Sequence, residues 1–339
     1  MTDHPLKRAT TRGPEAEGEW TLVTGGAGYV GSVVVEELLG RGHRVRVLDS
    51  LEHGVSSLVH VWGHERFRFV RGDVRDRETR RAVLDHVRDV VHLAAIVGDP
   101  ACARDPDLAR EVTLEATRQL LADAQAAGAE RFVFASTCSN YGRMADSSVL
   151  ANEDCELKPV SLYAETKVSA ELEVLKRTGN GFVGCCLRFA TVYGTSPRMR
   201  FDLTVNEFAR DMLLGGSLVV YGEQFWRPYI HVRDAARAVA LALEAPAQSI
   251  AGDVFNVGDT RENYRKLDLV ELLRERLPHA EVEFVHRDED PRDYRVGFDK
   301  VGATLGFAVT RTVPDGISEV LELLESGLIS DPYAPLYRN

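Results

Sequence analysis

Long hydrophobic runs are missing from this 339-residue chain. The longest apolar stretches fall far short of the roughly 20 residues that a membrane-crossing helix needs, so no membrane partner is expected. The first 18 residues have no apolar core; a secretory signal peptide is not expected there, and the segment reads as a loose polar tail. Positive charge is not in excess. The net charge of −11 disfavours a general binder of nucleic-acid phosphates, which would be basic. Cysteine is scarce: the five (102, 138, 155, 185 and 186) show no metal-ligand spacing. Cys185 and Cys186 are neighbours on an expected strand and point to opposite faces. Reduced thiols in the cytoplasm, and no metal site, are the expectation. What is present is 44% hydrophobic, enough to bury a sizeable core in one large domain or two ordinary ones.

The most informative stretch runs from Trp20 to Gly31, WTLVTGGAGYVG. Its first half is short, apolar and β-branched, as in a strand buried on both faces. Its second half carries four glycines in seven residues and leads into an apolar-patterned helix. Strand, glycine-rich turn and helix N-terminus together make an anion site, because backbone N–H groups lie bare and a pyrophosphate can approach closely. Gly25, Gly28, Tyr29 and Val30 are the expected contacts. A second strand, residues 44–48, ends in Asp49, 24 residues after Gly25. A carboxylate at that spacing bonds the adenosine ribose and repels a 2′-phosphate, favouring NAD over NADP.

Strands and helices then alternate. Strands are expected at 67–70, 89–95, 131–136 and 182–189, with helices near 77–86, 107–127 and 161–177. The alternation predicts an α/β fold, a Rossmann-type doubly wound parallel sheet over 19–190. Beyond 190 regularity weakens. Helices near 203–214, 232–245, 266–276 and 314–326, and strands near 218–221, 253–257 and 282–285, predict a smaller α/β domain over 191–339. That domain would bind substrate, with some segments returning to the sheet.

Tyr163 and Lys167 are four apart on the 161–177 helix and share one face. An ammonium beside a phenol is expected to lower the tyrosine pKa and fit it to exchange a proton at a carbonyl or alcohol. Thr137, at the carboxyl end of a central strand, could bond the same oxygen.

With these residues the chain resembles the extended short-chain dehydrogenases/reductases that act on nucleotide sugars, similar to the UDP-galactose 4-epimerase and dTDP-glucose 4,6-dehydratase families. The matching motifs are TGGAGYVG (24–31), GDVRD (72–76), HLAA (92–95), Ser136-Thr137 with Tyr141-Gly142, Tyr163-x-x-x-Lys167, LRF (187–189) with VYG (192–194), RPYIHVRD (227–234), FNVG (255–258) and DPRD (290–293). The resemblance implies Thr137, Tyr163 and Lys167 as catalytic residues. It implies Asp73, Val74, Leu93, Ala94 and Ala95, with Tyr163 and Lys167, as further NAD contacts. Ser139, Asn140, Thr191, Arg227 and Arg292 would bind a nucleotide-diphosphate sugar. For the two arginines a surface ion pair is the competing reading. His231 reads as structural, and Asp234 as a helix cap.

The family implies a 4-keto sugar intermediate. Its dehydratases carry Asp-Glu after the threonine, where this chain has Cys138-Ser139, so 4,6-dehydration is disfavoured. The decarboxylases' glutamate is also absent. An epimerase with tightly bound NAD is expected, against an NAD(P)H-dependent ketoreductase or dehydratase, or a non-catalytic sensor. Thr191 stands where relatives often carry asparagine. Residues 145–157 could cover the site, and 197–202 could serve an unusual sugar or base or be a solvated loop. Helices 107–127 and 161–177 fall where the family forms a four-helix interface, implying a homodimer.

Overall fold

The computed structural model describes residues 19–144, 149–287 and 292–339. The N-terminal tail, residues 145–148 of the expected cover, and Asp290 and Pro291 of the DPRD motif lie outside them.

Seven strands form the main sheet: β1 (Trp20–Thr24), β2 (Val45–Asp49), β3 (Phe67–Arg71), β4 (Val87–His92), β5 (Arg131–Thr137), β6 (Val183–Phe189) and β7 (Asp253–Val257). Their order is 7-6-5-4-1-2-3, every neighbouring pair parallel. β1 is buried along its whole length, as its unbroken apolar character requires in a sheet covered on both faces. The order reverses between β1 and β4. The turns leaving those two strands therefore part to either side and open a crevice at the strands' carboxyl ends.

Helix α1 (Tyr29–Gly40) and the helix Val232–Glu244 pack their apolar faces on one side of the sheet. The helix Ala116–Ala126 and helix α2 (Leu162–Arg177) cover the other. Cys185 belongs to the first of these cores and Cys186 to the second, as alternation along a strand dictates.

The smaller lobe has its own core, built around Phe201, Phe208, Tyr229 and Ile317. A three-stranded sheet orders Asn263–Arg265, Trp226–His231 and Thr191–Tyr193, and a parallel pair joins Ser217–Tyr221 to Glu281–Val285. Elements beyond residue 190 return to the first lobe: β7 completes its sheet, Val232–Glu244 covers it, and Val301 and Leu305 of the helix Asp299–Leu305 join the same core. Within the described part of the expected cover, 149–157, the strand Leu150–Ala151 pairs with Arg295–Val296.

The expected 107–127 helix is more broken than its periodicity suggests. Pro106–Arg110 runs through one wide π turn, Glu111–Glu115, into Ala116–Ala126, and a short helix Asp99–Arg104 precedes it. Pro100 and Pro106 each stand in a first turn, where a missing N–H costs nothing.

Candidate active site

Gly25 adopts φ +73°, and a Cβ there would lie 2.8 Å from the Ala94 backbone nitrogen. Only glycine lets the turn after β1 approach the segment after β4 so closely. At Gly31 a Cβ would meet the Gly25 carbonyl at 2.0 Å. Helix α1 begins at Gly28 with no side-chain cap and no acid in its first turn. Its N-terminal N–H groups and dipole thus face the crevice without competition from the protein's own carboxylates.

The crevice is a cavity of about 1000 Å³, at the top of the range of about 300–1,000 Å³ for small-molecule sites. The glycine turn, Tyr29, Val30, Asp49, Asp73, Val74, Leu93, Ala94 and Ala95 form one end of its wall. Asp49 accepts N–H bonds from Ala27 (2.9 Å) and Leu51 (2.8 Å), which aim its carboxylate along the turn. Asp73 is gripped by the Arg75 guanidinium (2.6 Å), which holds its carboxyl below the usual range. His92 lies beneath the wall, between the hydroxyls of Thr24 (2.6 Å) and Thr117 (2.8 Å). Burial pushes it down to about 3, so it is neutral.

Thr137, Tyr163 and Lys167 all line the cavity. β5 delivers Thr137, whose hydroxyl bonds Tyr163. Ser161 caps α2, accepting from the Ala164 N–H at 3.3 Å, and so sets the turn that carries Tyr163. The Lys167 ammonium donates to the Ala135 carbonyl at 2.7 Å and lies 4.7 Å from the Phe134 ring. The expected lowering of the tyrosine does not occur in the protein alone. Burial, the largest influence, pushes the Tyr163 phenol well above its ordinary range; the Thr137 bond and the Arg200 charge pull back only partly. Lys167 is itself lowered by burial to about 8. Desolvation outweighs the attraction that spacing alone suggests.

Of the expected substrate contacts, Ser139, Thr191 and Arg292 reach the cavity wall, whereas Asn140 and Arg227 do not. Cys138–Tyr141 is a tight 3₁₀ turn that presents Ser139 and rolls Asn140 inward, where its amide donates to Ser136 Oγ (3.1 Å). Arg227 is buried with its guanidinium 5.5 Å from the Tyr294 ring; Tyr294 is the residue at the wall. Arg292 bridges to Asp99 at 3.0 Å. Asp99 also lines the cavity, and its charge raises Tyr163.

Asp99 and Glu171 are not among the expected site residues, and Arg198 and Arg200 stand in the 197–202 segment, for which a ligand role and a solvated loop are both open from sequence. Both arginines are buried at the wall, so 197–202 is no solvated loop. Glu171 follows Tyr163 and Lys167 at the next i+4 step, a spacing that could have exposed it. It accepts from Ser136 Oγ (2.7 Å) and from the Arg188 guanidinium, tying α2 to the strand end that carries Thr137. His231 donates from Nε2 to the Glu319 carboxylate at 2.6 Å, and its Nδ1 accepts from the Arg233 N–H, capping the helix after it. Asp234 is not that helix's cap. Buried in its first turn, it accepts from the Thr310 and Arg311 N–H groups (2.9 and 3.0 Å) and fixes a distant segment.

Among the described residues no group of three or more His, Cys, Asp or Glu could hold a metal ion, and no helix is long and apolar enough to cross a membrane.

The model of the NAD dependent epimerase/dehydratase family matches residues 21–258. A dTDP-glucose 4,6-dehydratase from Streptomyces griseus is 32% identical over 88% of this chain and 91% of its own length. A UDP-glucose 4-epimerase from Rhizobium meliloti is 30% identical over 84% and 91%. The crystal structure of UDP-glucuronic acid 4-epimerase from Bacillus cereus, in complex with UDP-glucuronic acid and NAD, superposes with a TM-score of 0.80 at 26% identity, covering 90% of this chain and 99% of that one.

Proposed function

This chain belongs to the NAD dependent epimerase/dehydratase family, and we propose that it is a 4-epimerase of a nucleotide-diphosphate sugar. The carrying observation is that Thr137, Tyr163 and Lys167 line one cavity of about 1000 Å³, with Cys138 and Ser139 where a dehydratase would place its acids.

The residues fit the cofactor. The uncapped start of α1 suits a pyrophosphate, and Asp49 a ribose diol. NAD, when bound, would supply the hydride acceptor and a positive charge. Tyr163 takes the proton of the sugar's C4 hydroxyl as the C4 hydride departs, leaving a 4-keto sugar. Thr137 holds the same oxygen. Once hydride has returned to the opposite face, Tyr163 gives the proton back, so no net reductant is consumed. Its raised pKa suits the giving half. The taking half relies on positive charge nearby, to which Lys167, mostly protonated at pH 7, contributes. Cys138 cannot act as an acid: it is buried, donates to the Arg188 carbonyl (3.1 Å), and burial raises its thiol far above the ordinary value.

A second reading, dehydration, draws support from one residue. Asp99 is a carboxylate at the cavity whose charge reaches Tyr163; its bridge to Arg292 argues that it is engaged otherwise. The five free cysteines support a reducing compartment, the cytoplasm, which cell fractionation would check. The deciding experiment incubates the purified protein with UDP- and dTDP-sugars, without added reductant, and reads products by NMR. A 4-epimer is expected. A 4-keto-6-deoxy product would establish dehydration instead, and a strict requirement for stoichiometric NAD(P)H would reject epimerisation.

A further inference from the structure

Arg292 lines the cavity with Arg227 buried behind it, and Arg198 and Arg200 line it as well; the proposed sugar-nucleotide contacts account only for the first two. Arg227 and Arg292 gather around Tyr294, lowering its raised pKa by their charge; Tyr294 in turn lies 3.4 Å from the Ser139 hydroxyl. Arg198 and Arg200 sit elsewhere. Their loop is bonded directly to the glycine-rich turn and the first turn of α1: Ser196 Oγ donates to the Tyr29 carbonyl (2.7 Å) and lies 3.1 Å from Ser32 Oγ, while the Tyr29 hydroxyl donates to the Gly194 carbonyl (2.6 Å). Both arginine charges are felt at His53, as are those of Asp49 and Glu52.

Arg200 is neutralised in a two-pronged bond to Asp202 (2.9 and 2.7 Å). Arg198 is not neutralised. It is 6% exposed, donates to the Arg338 carbonyl (2.7 Å), and leaves its Nε without a partner; among the described residues no carboxylate pairs with it. Burial and the Arg200 charge push it down to about 10, a large fall for a guanidinium. A buried cation without a counterion is costly, and an arginine fork is matched to phosphate oxygens.

We propose that Arg198, seconded by Arg200, binds the pyrophosphate of the dinucleotide from the wall facing the glycine turn. The cofactor would then be gripped from both lobes, by backbone N–H groups of the first and by guanidinium groups of the second. A cofactor so held is retained between turnovers, which suits an epimerase. The inference rests on the NAD reading above.

The test measures dissociation constants of the full-length protein for NAD, adenosine and UDP by calorimetry, together with its melting temperature without ligand. In Arg198→Met, NAD affinity is expected to fall about 10- to 100-fold, the worth of one charged hydrogen-bonded contact. Adenosine and UDP affinities stay unchanged, and the melting temperature of the protein alone holds or rises, because an uncompensated charge has gone. Arg198→Lys, which keeps the charge without the fork, falls between. Unchanged NAD affinity, an equal loss for adenosine, or a loss confined to UDP would each overturn the assignment. Wild-type protein that binds no NAD would instead refute the dinucleotide reading itself.

Discussion

At the scale of single residues, the site is governed by desolvation. Tyr163 and Lys167 are neighbours on one face of α2, yet each is displaced by burial toward its neutral form. The phenol is therefore a held proton rather than a free base. Tyr163→Phe removes that proton and little volume. Its turnover is expected to fall about 10²- to 10⁴-fold with NAD content unchanged, read by product formation and by cofactor released on denaturation. Lys167 gives a second test. Folded, it releases its proton near 8; unfolded, at its ordinary 10.5. Between those values the unfolded chain binds more protons, so this group makes stability rise with pH. Below 8 both states are charged and the folded one bears the burial cost. The wild type should therefore gain stability relative to Lys167→Met across pH 8 to 10.5, by on the order of 3 kcal/mol at about 1.36 kcal/mol per unit. Melting curves of the two proteins across that window check it; parallel curves would show that Lys167 titrates normally.

At the scale of elements, legibility followed the range of the signal. The strand, glycine turn and helix of 20–40, the Ser161 start of α2, and the strands of 131–137 and 183–189 are written in local periodicity and punctuation. They were readable because each is decided by burial of its own face. Arg198 was undecidable from sequence, since only the docking of its loop on Tyr29 and Ser32 buries it. Asn140 was misplaced because a tight turn after Thr137 alternates residues between cavity and core, which no motif records. Asp234 looks like a cap from its position, but the 308–312 segment that claims it is 76 residues away in the chain. Glu319, on the helix Val313–Glu325, ties together elements of the smaller lobe. Burial pushes it up, but bonds from His231 (2.6 Å) and Thr195 (2.5 Å) outweigh that and hold it at about 2. An unfolded glutamate titrates near 4.5, so its contribution is complete above that pH and is lost as pH falls toward 2. Glu319→Gln should flatten acid unfolding between pH 4.5 and 2, followed by circular dichroism. An unaltered acid transition would show that the carboxylate carries no such linkage.

At the scale of the whole molecule, the two helices that the family's interface would use lie side by side on one flank. Ala116–Ala126 and α2 are joined by Arg118 to Glu173 (3.5 Å) and by Gln125 to the Arg177 carbonyl (3.0 Å). These bonds make them a single rigid surface. On α2 Leu172 stands 49% exposed, and Val160 leads into that helix at 43%. A lone exposed leucine is ordinary, but one on a helix of a paired-helix flank suits a two-fold interface, where the same patch meets its own copy. The expectation is a homodimer, with light scattering giving twice the 37.6 kDa chain mass. Leu172→Glu places two like charges near the axis and should shift the protein toward monomer while leaving NAD affinity intact, because Leu172 does not line the cavity. A wild type at the single-chain mass would remove the dimer from the account; a variant that stays dimeric would place the interface elsewhere on the surface.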